Sequence, residues 1–576
     1  MPIAAAPILL LCNANTPWGE YLGEILCTEG MPWFERVESW ADVGARVGAE
    51  SVLLIPHGDA DAATVHAWVE AGGGVVAMRP DAELAALAGL EPLGRHASEL
   101  PLVLEPPFDC GQARAHGEVD LCKLRDGQAH AHALCDGERF PAAVVRGRVG
   151  AFAYDLPHSV ALTRQGNPEW TGERGTDLGS NTFRPADLFV RGCGAQTWLD
   201  FPSAGAPAAD MQQRLLAYLT DRVSPRPLPR LWYLPDNKPT VLCVLGDSDG
   251  SDPEVIAEQL DDVAAAGGRM SSYMIDHSVD RSSAADVTRW RAAGHDISVH
   301  PDYARHGDKS VPNAQTMRLA QGTLIDRFRA KFGFSPRTLR NHSICWVGFA
   351  EQAEIERSLG IRLNAAYGYS SSFGDARYGG GAVGYLNGSG HPQKFADERG
   401  RVLDIYQLGA QVCDETVKPQ YLGYDADQAW AATRGLIDAS MARWHSYIGL
   451  SFHPFSYHSN PEVKRWLRDL IIPYAHERGL PLWSAAMILD FADARRACKM
   501  ADVDWRDGEL AFELHAPADV EGLTLMLPDD ARGAKLTSVS MGSEVVAGPN
   551  RYFAARGWRC VAVKPGQTEV AAKYGH

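Results

Sequence analysis

The sequence predicts an α/β protein in three parts: an N-terminal Rossmann-like α/β region over residues 1–223, a distorted (β/α) barrel over 231–498, and a small β-sandwich over 499–576. Three observations carry this prediction. Apolar strands alternate with helical segments through most of the chain, which predicts parallel sheet covered by helices. A proline-rich break, SPRPLPR (Ser224 to Arg230), interrupts that alternation. After about Lys499 the pattern turns into short alternating runs separated by Gly, Pro and Asp. A length of 576 residues suits about three domains at roughly 100–200 residues each.

In the first region PILLLCN (Pro7 to Asn13) is a strand, and Thr16 with Pro17 reads as the cap and first position of the next helix. SVLLIPHG (from Ser51) and GVVAMRP (from Gly74) are further strands, separated by the helical DAATVHAWVEAGG that stops at Gly72 and Gly73. From about Pro101 the pattern reads as short strands and turns up to VGAFAYDLP, and MQQRLLAYLTDRV (Met211 to Val223) is a helix. In the second region the strands are TVLCVLGDSDG (from Thr240), MSSYMID, HDISVH and YIGLSFH, with helices at PEVIAEQLDDVAAAGG, AADVTRWRAAGH, Ala429 to Ser446 and Val463 to Arg478. Repeated strand–helix units over such a length predict a barrel or a close relative. The third region, with WRDGELAFELHAP, EGLTLMLP, TSVSMG and RCVAVKP, reads as the sandwich.

Composition narrows the class. Lys+Arg 55 against Asp+Glu 72 gives a formal charge of −17, which argues against a nucleic-acid binder with a basic face, though it leaves room for a small local patch. No stretch approaches the ~18 apolar residues of a membrane span, and no basic, apolar, small-residue leader opens the chain, so a cytoplasmic location without membrane partner is expected. The 11 cysteines are scattered with no CxxC pair and are expected to be reduced. Homo-oligomerisation is left open by the sequence.

The chemistry gathers at the strand ends of the middle region. Asp247 and Asp249 lie in LGDSDG, His300 and His306 in SVHPDYARH, Arg340 and His342 in LRNHSICW, and His453 in LSFHP. Parallel barrel strands bring their C-terminal ends to one face, so these residues are expected to meet. Carboxylates and imidazoles in this number can bind a divalent metal and still leave an acid and a base.

In order and placement these four segments resemble the polysaccharide deacetylases (NodB-like), metal-dependent enzymes that remove N- or O-acetyl groups from sugars. The resemblance covers roughly Leu231 to Asp490. It implies Asp247 as catalytic base, Asp249 and His300 as metal ligands, Arg340 as the residue orienting the base, His453 as catalytic acid, and a divalent cofactor, with Zn²⁺ expected. It also implies a late-strand aromatic, for which Trp483 stands. The N-terminal region resembles glutamine-amidotransferase-like domains. It is read as non-catalytic, because Cys193 in RGCGAQ lacks the Gly-x-Cys-x-Gly spacing and Cys12 lies inside a strand.

The departures from the family pattern leave choices open. Asp-Ser-Asp replaces adjacent aspartates, so Ser248 competes with Asp249 for the ligand slot. Ala304 occupies the place of the second histidine. His306 is six residues after His300, about 600° around a helix, so only a loop brings the two together. His342 replaces a proline, and His306 and His342 stand level as third ligand. His458 is a weaker alternative to His453. The glycine-rich segment YGGGAVGYLNGSG (Tyr378 to Gly390) is no phosphate loop. It reads either as a cover of the barrel mouth, with Tyr367, Tyr369, Phe373, Tyr378 and Tyr385 as sugar-stacking faces, or as an excursion packed by its own aromatics. The expected activity is deacetylation of a small-molecule or oligosaccharide substrate. The alternative is a non-catalytic carbohydrate-binding or scaffold protein on a degenerate barrel.

Overall fold

The computed structural model describes residues 6–172, 174, 181–191, 196–199, 204–368, 382–531 and 533–575. The first sheet has nine strands. Five run parallel in the order Phe34–Val37, Ile8–Leu11, Val52–Ile55, Gly74–Met78, Val149–Phe152. Ile8–Leu11, Val52–Ile55 and Gly74–Met78 are fully buried, as parallel strands covered on both faces must be. The sheet continues antiparallel through Glu138–Arg146, Gln128–Cys135, Leu90–Leu104 and Ala113–Leu124. The expected short strands after Pro101 are thus parts of long ones, 15 and 12 residues in the last pair. The first helix begins at Gly19, later than expected, because the Thr16 hydroxyl is used by the Asn13 N–H at 2.8 Å and closes a turn before the helix.

The second sheet is a curled row of parallel strands. Val241–Asp247 pairs with Ser271–Met274 on one side and Tyr447–Ser451 on the other. The row then runs through Asp296–Val299, Thr338–Leu339 and Leu363–Gly368 to Val402–Ala410. The chain continues from Ala410 into Val412–Cys413, which pairs with Tyr447–Ser451, so one segment links both ends of the row. The π-helical stretch Arg465–Ile471 in the expected Val463-to-Arg478 helix precedes Pro473, whose missing N–H interrupts the regular ladder.

Two antiparallel sheets follow, Lys499–Arg506 with Glu509–Ala516 in one and Thr524–Pro528 with Arg556–Ala562 in the other. The proline-rich segment is not a free tether. Residues 225–230 are buried, and Arg230–Leu231 adds an edge strand to the second of these sheets. The Arg230 guanidinium reaches Oε2 of Glu29 at 2.7 Å. The largest buried apolar cluster runs from Ile8 and Leu54 through Phe183 and Leu188 to Leu242, Val299 and Leu450, so the N-terminal sheet and the curled sheet share one core.

Trp483 is not at the site. Leu482–Trp483 pairs with Leu242–Cys243, the opening half of a strand whose other end carries Asp247, and Trp483 packs edge-on to Phe491. Of the aromatic candidates in the glycine-rich stretch, Tyr369, Phe373 and Tyr378 lie outside the described residues, as does Cys193. Tyr367 and Tyr385 are buried, and the Tyr385 hydroxyl pairs with Ser446 Oγ at 2.8 Å, so neither offers a face to a sugar.

Candidate active site

Asp247 closes its strand and is buried. Arg340, just past Thr338–Leu339, reaches across two intervening strands and donates from Nε to Asp247 Oδ2 at 2.6 Å; its Nη1 donates to the Ala365 carbonyl. Asp247 Oδ1 is buried with no partner. Burial pushes Asp247 up, but the Arg340 guanidinium, with His300 and His453, outweighs it and holds the pKa below its ordinary value.

Asp249 takes φ 40°, a left-handed conformation that Asp tolerates better than most residues. This turn decides between the two candidates in Asp-Ser-Asp. The Ser248 hydroxyl accepts the Ile275 N–H at 3.0 Å and faces the neighbouring strand. Asp249 instead meets the histidines: Oδ1 lies 3.2 Å from His300 Nε2 and 3.6 Å from His342 Nε2, and Oδ2 lies 3.6 Å from His453 Nε2. Against the effect of burial, these imidazoles pull the Asp249 pKa far below the usual carboxylate range.

The outer nitrogen of each imidazole faces a protein oxygen. His300 Nδ1 sits 2.7 Å from the Arg340 carbonyl, which can only accept, so Nδ1 carries the proton and Nε2 faces inward. His342 is fixed by its N–H to the Pro301 carbonyl, and its Nδ1 is 3.1 Å from Asp302 Oδ1. Asp414 serves His453 with both oxygens: the His453 backbone N–H donates to Oδ2 at 2.9 Å, and Nδ1 is 2.7 Å from Oδ1. Burial would depress His453, but Asp414, then Asp249 and Asp247, more than offset it and lift the pKa to about 10. His453 is therefore an imidazolium near neutral pH.

Asp249, His300 and His342 fit a divalent cation. Their ligand atoms all lie within 4.8 Å of one another. Ligands about 2.0–2.1 Å from a tetrahedral Zn²⁺ are about 3.3–3.4 Å apart, and the Asp249–His300 and Asp249–His342 separations of 3.2 and 3.6 Å bracket that edge. An imidazole anchored through its outer nitrogen, as His300 is, is the usual metal-site arrangement. His306 is exposed at the end of the Tyr303–Arg305 turn and is not part of the cluster. His458 is exposed and pairs with Glu258 at 2.6 Å. A second grouping, Cys413–Asp414–His453, is a poor ion site: Asp414 already serves His453 with both oxygens, and burial holds the Cys413 thiol protonated.

Asp247, Asp249, His300, Arg340, His342 and His453 line a cavity of about 90 Å³. About 10–15 Å³ of such space holds one water, so the cavity admits water and an acetyl-sized group. Asp302, Asp414, Glu415 and Arg184 were not singled out from the sequence. Asp414 and Glu415 carry the same signal as Asp247, acidic residues directly after an apolar strand. Arg184 has no local signal: it comes from the N-terminal region, where Phe183 is held by backbone bonds to Lys309 and Trp346, and its Nε donates to the Ser343 carbonyl.

No family model and no curated protein matches the chain. Among solved structures it is similar to a Mycobacterium smegmatis protein assigned as a polysaccharide deacetylase (TM-score 0.35, 15% identity, 46% of this chain and 93% of that one). It is also similar to a carbohydrate esterase family 4 pseudoenzyme from Bacillus anthracis (0.29, 11%, 44% and 66%). A third is a family 4 acetyl xylan esterase from Clostridium thermocellum in complex with a cobalt ion (0.28, 15%, 44% and 91%). Among the described residues no helix is long and apolar enough to cross a membrane.

Proposed function

We propose that the chain is a metal-dependent hydrolase that removes an acetyl group from a carbohydrate. The observation that carries this reading is the convergence on one acetyl-sized cavity of a cation-ready triad (Asp249, His300, His342), an arginine-held carboxylate with a vacant oxygen (Asp247) and an imidazolium (His453). The carbohydrate half of the substrate rests on the resemblance of the four sequence segments.

A bound divalent ion supplies positive charge that polarises an acyl carbonyl and acidifies water. Asp247 Oδ1 takes a proton from the attacking water as its oxygen bonds to the acyl carbon. Arg340 keeps the other carboxylate oxygen occupied, so the acceptor stays aimed at the cavity. His453 then passes its Nε2 proton to the leaving oxygen or nitrogen as the acyl bond breaks, while Asp414 holds Nδ1. The products are acetate and a free hydroxyl or amine.

The test is metal analysis of the purified protein, with acetate release measured on O-acetylated xylo-oligosaccharides and N-acetylglucosamine oligomers, with and without chelator. Expected are about one divalent ion per chain and chelator-sensitive release that Asp247→Asn abolishes. A metal-free protein with background release across both substrates would establish the alternative, a binding or scaffold protein.

A further inference from the structure

A larger polar cavity lies elsewhere. It measures about 460 Å³ and opens where the end of the Ala208–Val223 helix, the Ser224–Arg230 segment and the two C-terminal antiparallel sheets meet. It shares no lining residue with the catalytic cavity.

Its chemistry is specific. The Asp221 side chain is 6% exposed and gives one oxygen to Arg556, while the other, Oδ1, is buried without a partner. A buried carboxylate oxygen lacking a donor is costly. Arg556 is already committed to Asp221 and to Asp530 Oδ1 at 2.6 Å. Because Asp221 lines the cavity, a ligand hydroxyl there can supply the donor that the protein does not. At the rim Tyr552 is 75% exposed, and Tyr218 lines the same space from the helix, backed by Phe108 at 5.2 Å. An exposed ring beside a polar recess offers a stacking face.

The charge runs against that of the whole chain. In a protein of net charge −17, Arg222, Arg226 and Lys535 face this cavity, and Asp529 is the carboxylate left once Arg556 has engaged Asp221 and Asp530. Arg226 is shared with Glu50 and Asp504 on its far side, whereas Arg222 also borders an adjoining cleft of about 330 Å³ that holds Arg148. Local positive charge in a recess concentrates anions.

We infer that this cavity binds an anionic sugar. The ring stacks on Tyr552, a hydroxyl donates to Asp221 Oδ1, and a carboxylate or phosphate meets Arg222 and Lys535. This inference does not rest on the hydrolytic reading of the other cavity.

The experiment is calorimetric titration of the full chain with trigalacturonate, glucose 1-phosphate and, as neutral control, maltotriose. At least one anionic sugar should bind saturably, about tenfold or more tighter than maltotriose. Tyr552→Ala and Arg222→Gln, both on exposed side chains, should each weaken that binding about tenfold, and Tyr552→Phe should preserve it. His300→Ala should leave it unchanged, which separates this site from the catalytic one. Which anionic probe binds identifies the acidic group. The inference is overturned by absence of binding of both anionic probes, by equal affinity for maltotriose, by indifference to Tyr552→Ala and Arg222→Gln in proteins that melt like the parent, or by loss of binding in His300→Ala.

Discussion

Replacing Asp414 by Asn removes the charge behind His453 and keeps the side-chain shape. The imidazole is raised from 6.5 to about 10 in spite of its burial. At about 1.4 kcal/mol per pH unit, that is on the order of 5 kcal/mol, shared between Asp414, which bonds the ring at 2.7 Å, and the more distant Asp249 and Asp247. A hydrogen bond to a charged group contributes about 1.5–3 kcal/mol, so loss of the Asp414 charge should lower the His453 pKa by about 1–2 units. The sign for stability follows from linkage. The folded pKa lies above the unfolded one, so the stabilisation is fully present below about pH 6.5 and is lost as pH rises through about 10. Wild type should exceed Asp414→Asn in stability at pH 6, and the gap should close toward pH 10. The assay is NMR titration of His453 in chelator-treated protein, assigned with His453→Asn, alongside urea unfolding at both pH values. Turnover in acetate release should fall by about 10²–10⁴, as expected when a catalytic imidazole loses its orienting carboxylate. A His453 pKa within half a unit of wild type, or a stability gap independent of pH, would refute the assignment.

Three further outcomes follow from the same geometry. His342→Ala should lose the bound metal while His306→Ala retains it, as read by elemental analysis of the dialysed proteins. Asp302→Asn should weaken metal affinity about 10–100-fold without changing the fold, measured by competition with a zinc indicator; unchanged affinity would show that His342 needs no partner at Nδ1. Burial lifts Glu356 from 4.5 to about 7 even though Asn364, Gln352, Asn341 and Gln321 all donate to it. A raised carboxyl stabilises the fold below about pH 4.5 and loses that contribution as pH rises through about 7, by about 3 kcal/mol in total. The stability difference between wild type and Glu356→Gln should therefore move in favour of the variant by about that amount from pH 4.5 to 8, and a flat difference in urea titrations would contradict it.

The part of the site that was legible in the sequence consists of residues directly after apolar strands. Asp247, His300, Arg340 and His453 follow runs whose burial dictates strands, and parallel strands bring such ends to one face. What was not legible depends on backbone turns and on chain far away. The competition between Ser248 and Asp249 is resolved by a left-handed φ at Asp249 that periodicity does not encode. His306 was a candidate because spacing along a loop does not say which way it turns; Tyr303–Arg305 carries it outward and leaves Asp302 beside His342. Asp414 sits 39 residues from His453, and Arg184 belongs to another sheet's region. Buried packing between regions had no local signature either, since a run of prolines reads as a tether whether or not its flanks are covered.

The partner of each outer imidazole nitrogen separates the roles of chemically identical side chains. His300 is raised against burial by Asp247 and Asp249, and its Nδ1 partner is an uncharged carbonyl. One of those two charges belongs to the cation-ready triad, so neutralising Asp249 removes part of what favours a proton on His300 and leaves its Nε2 available as a ligand. His453 draws its largest favourable contribution from Asp414, which lies outside that triad and is fully buried. Neutralising Asp249 therefore removes one of the three carboxylates that raise His453 and leaves the largest contributor, Asp414, in place. What distinguishes the environments of the two imidazoles is Asp414, which faces the outer nitrogen of His453 where His300 has an uncharged carbonyl.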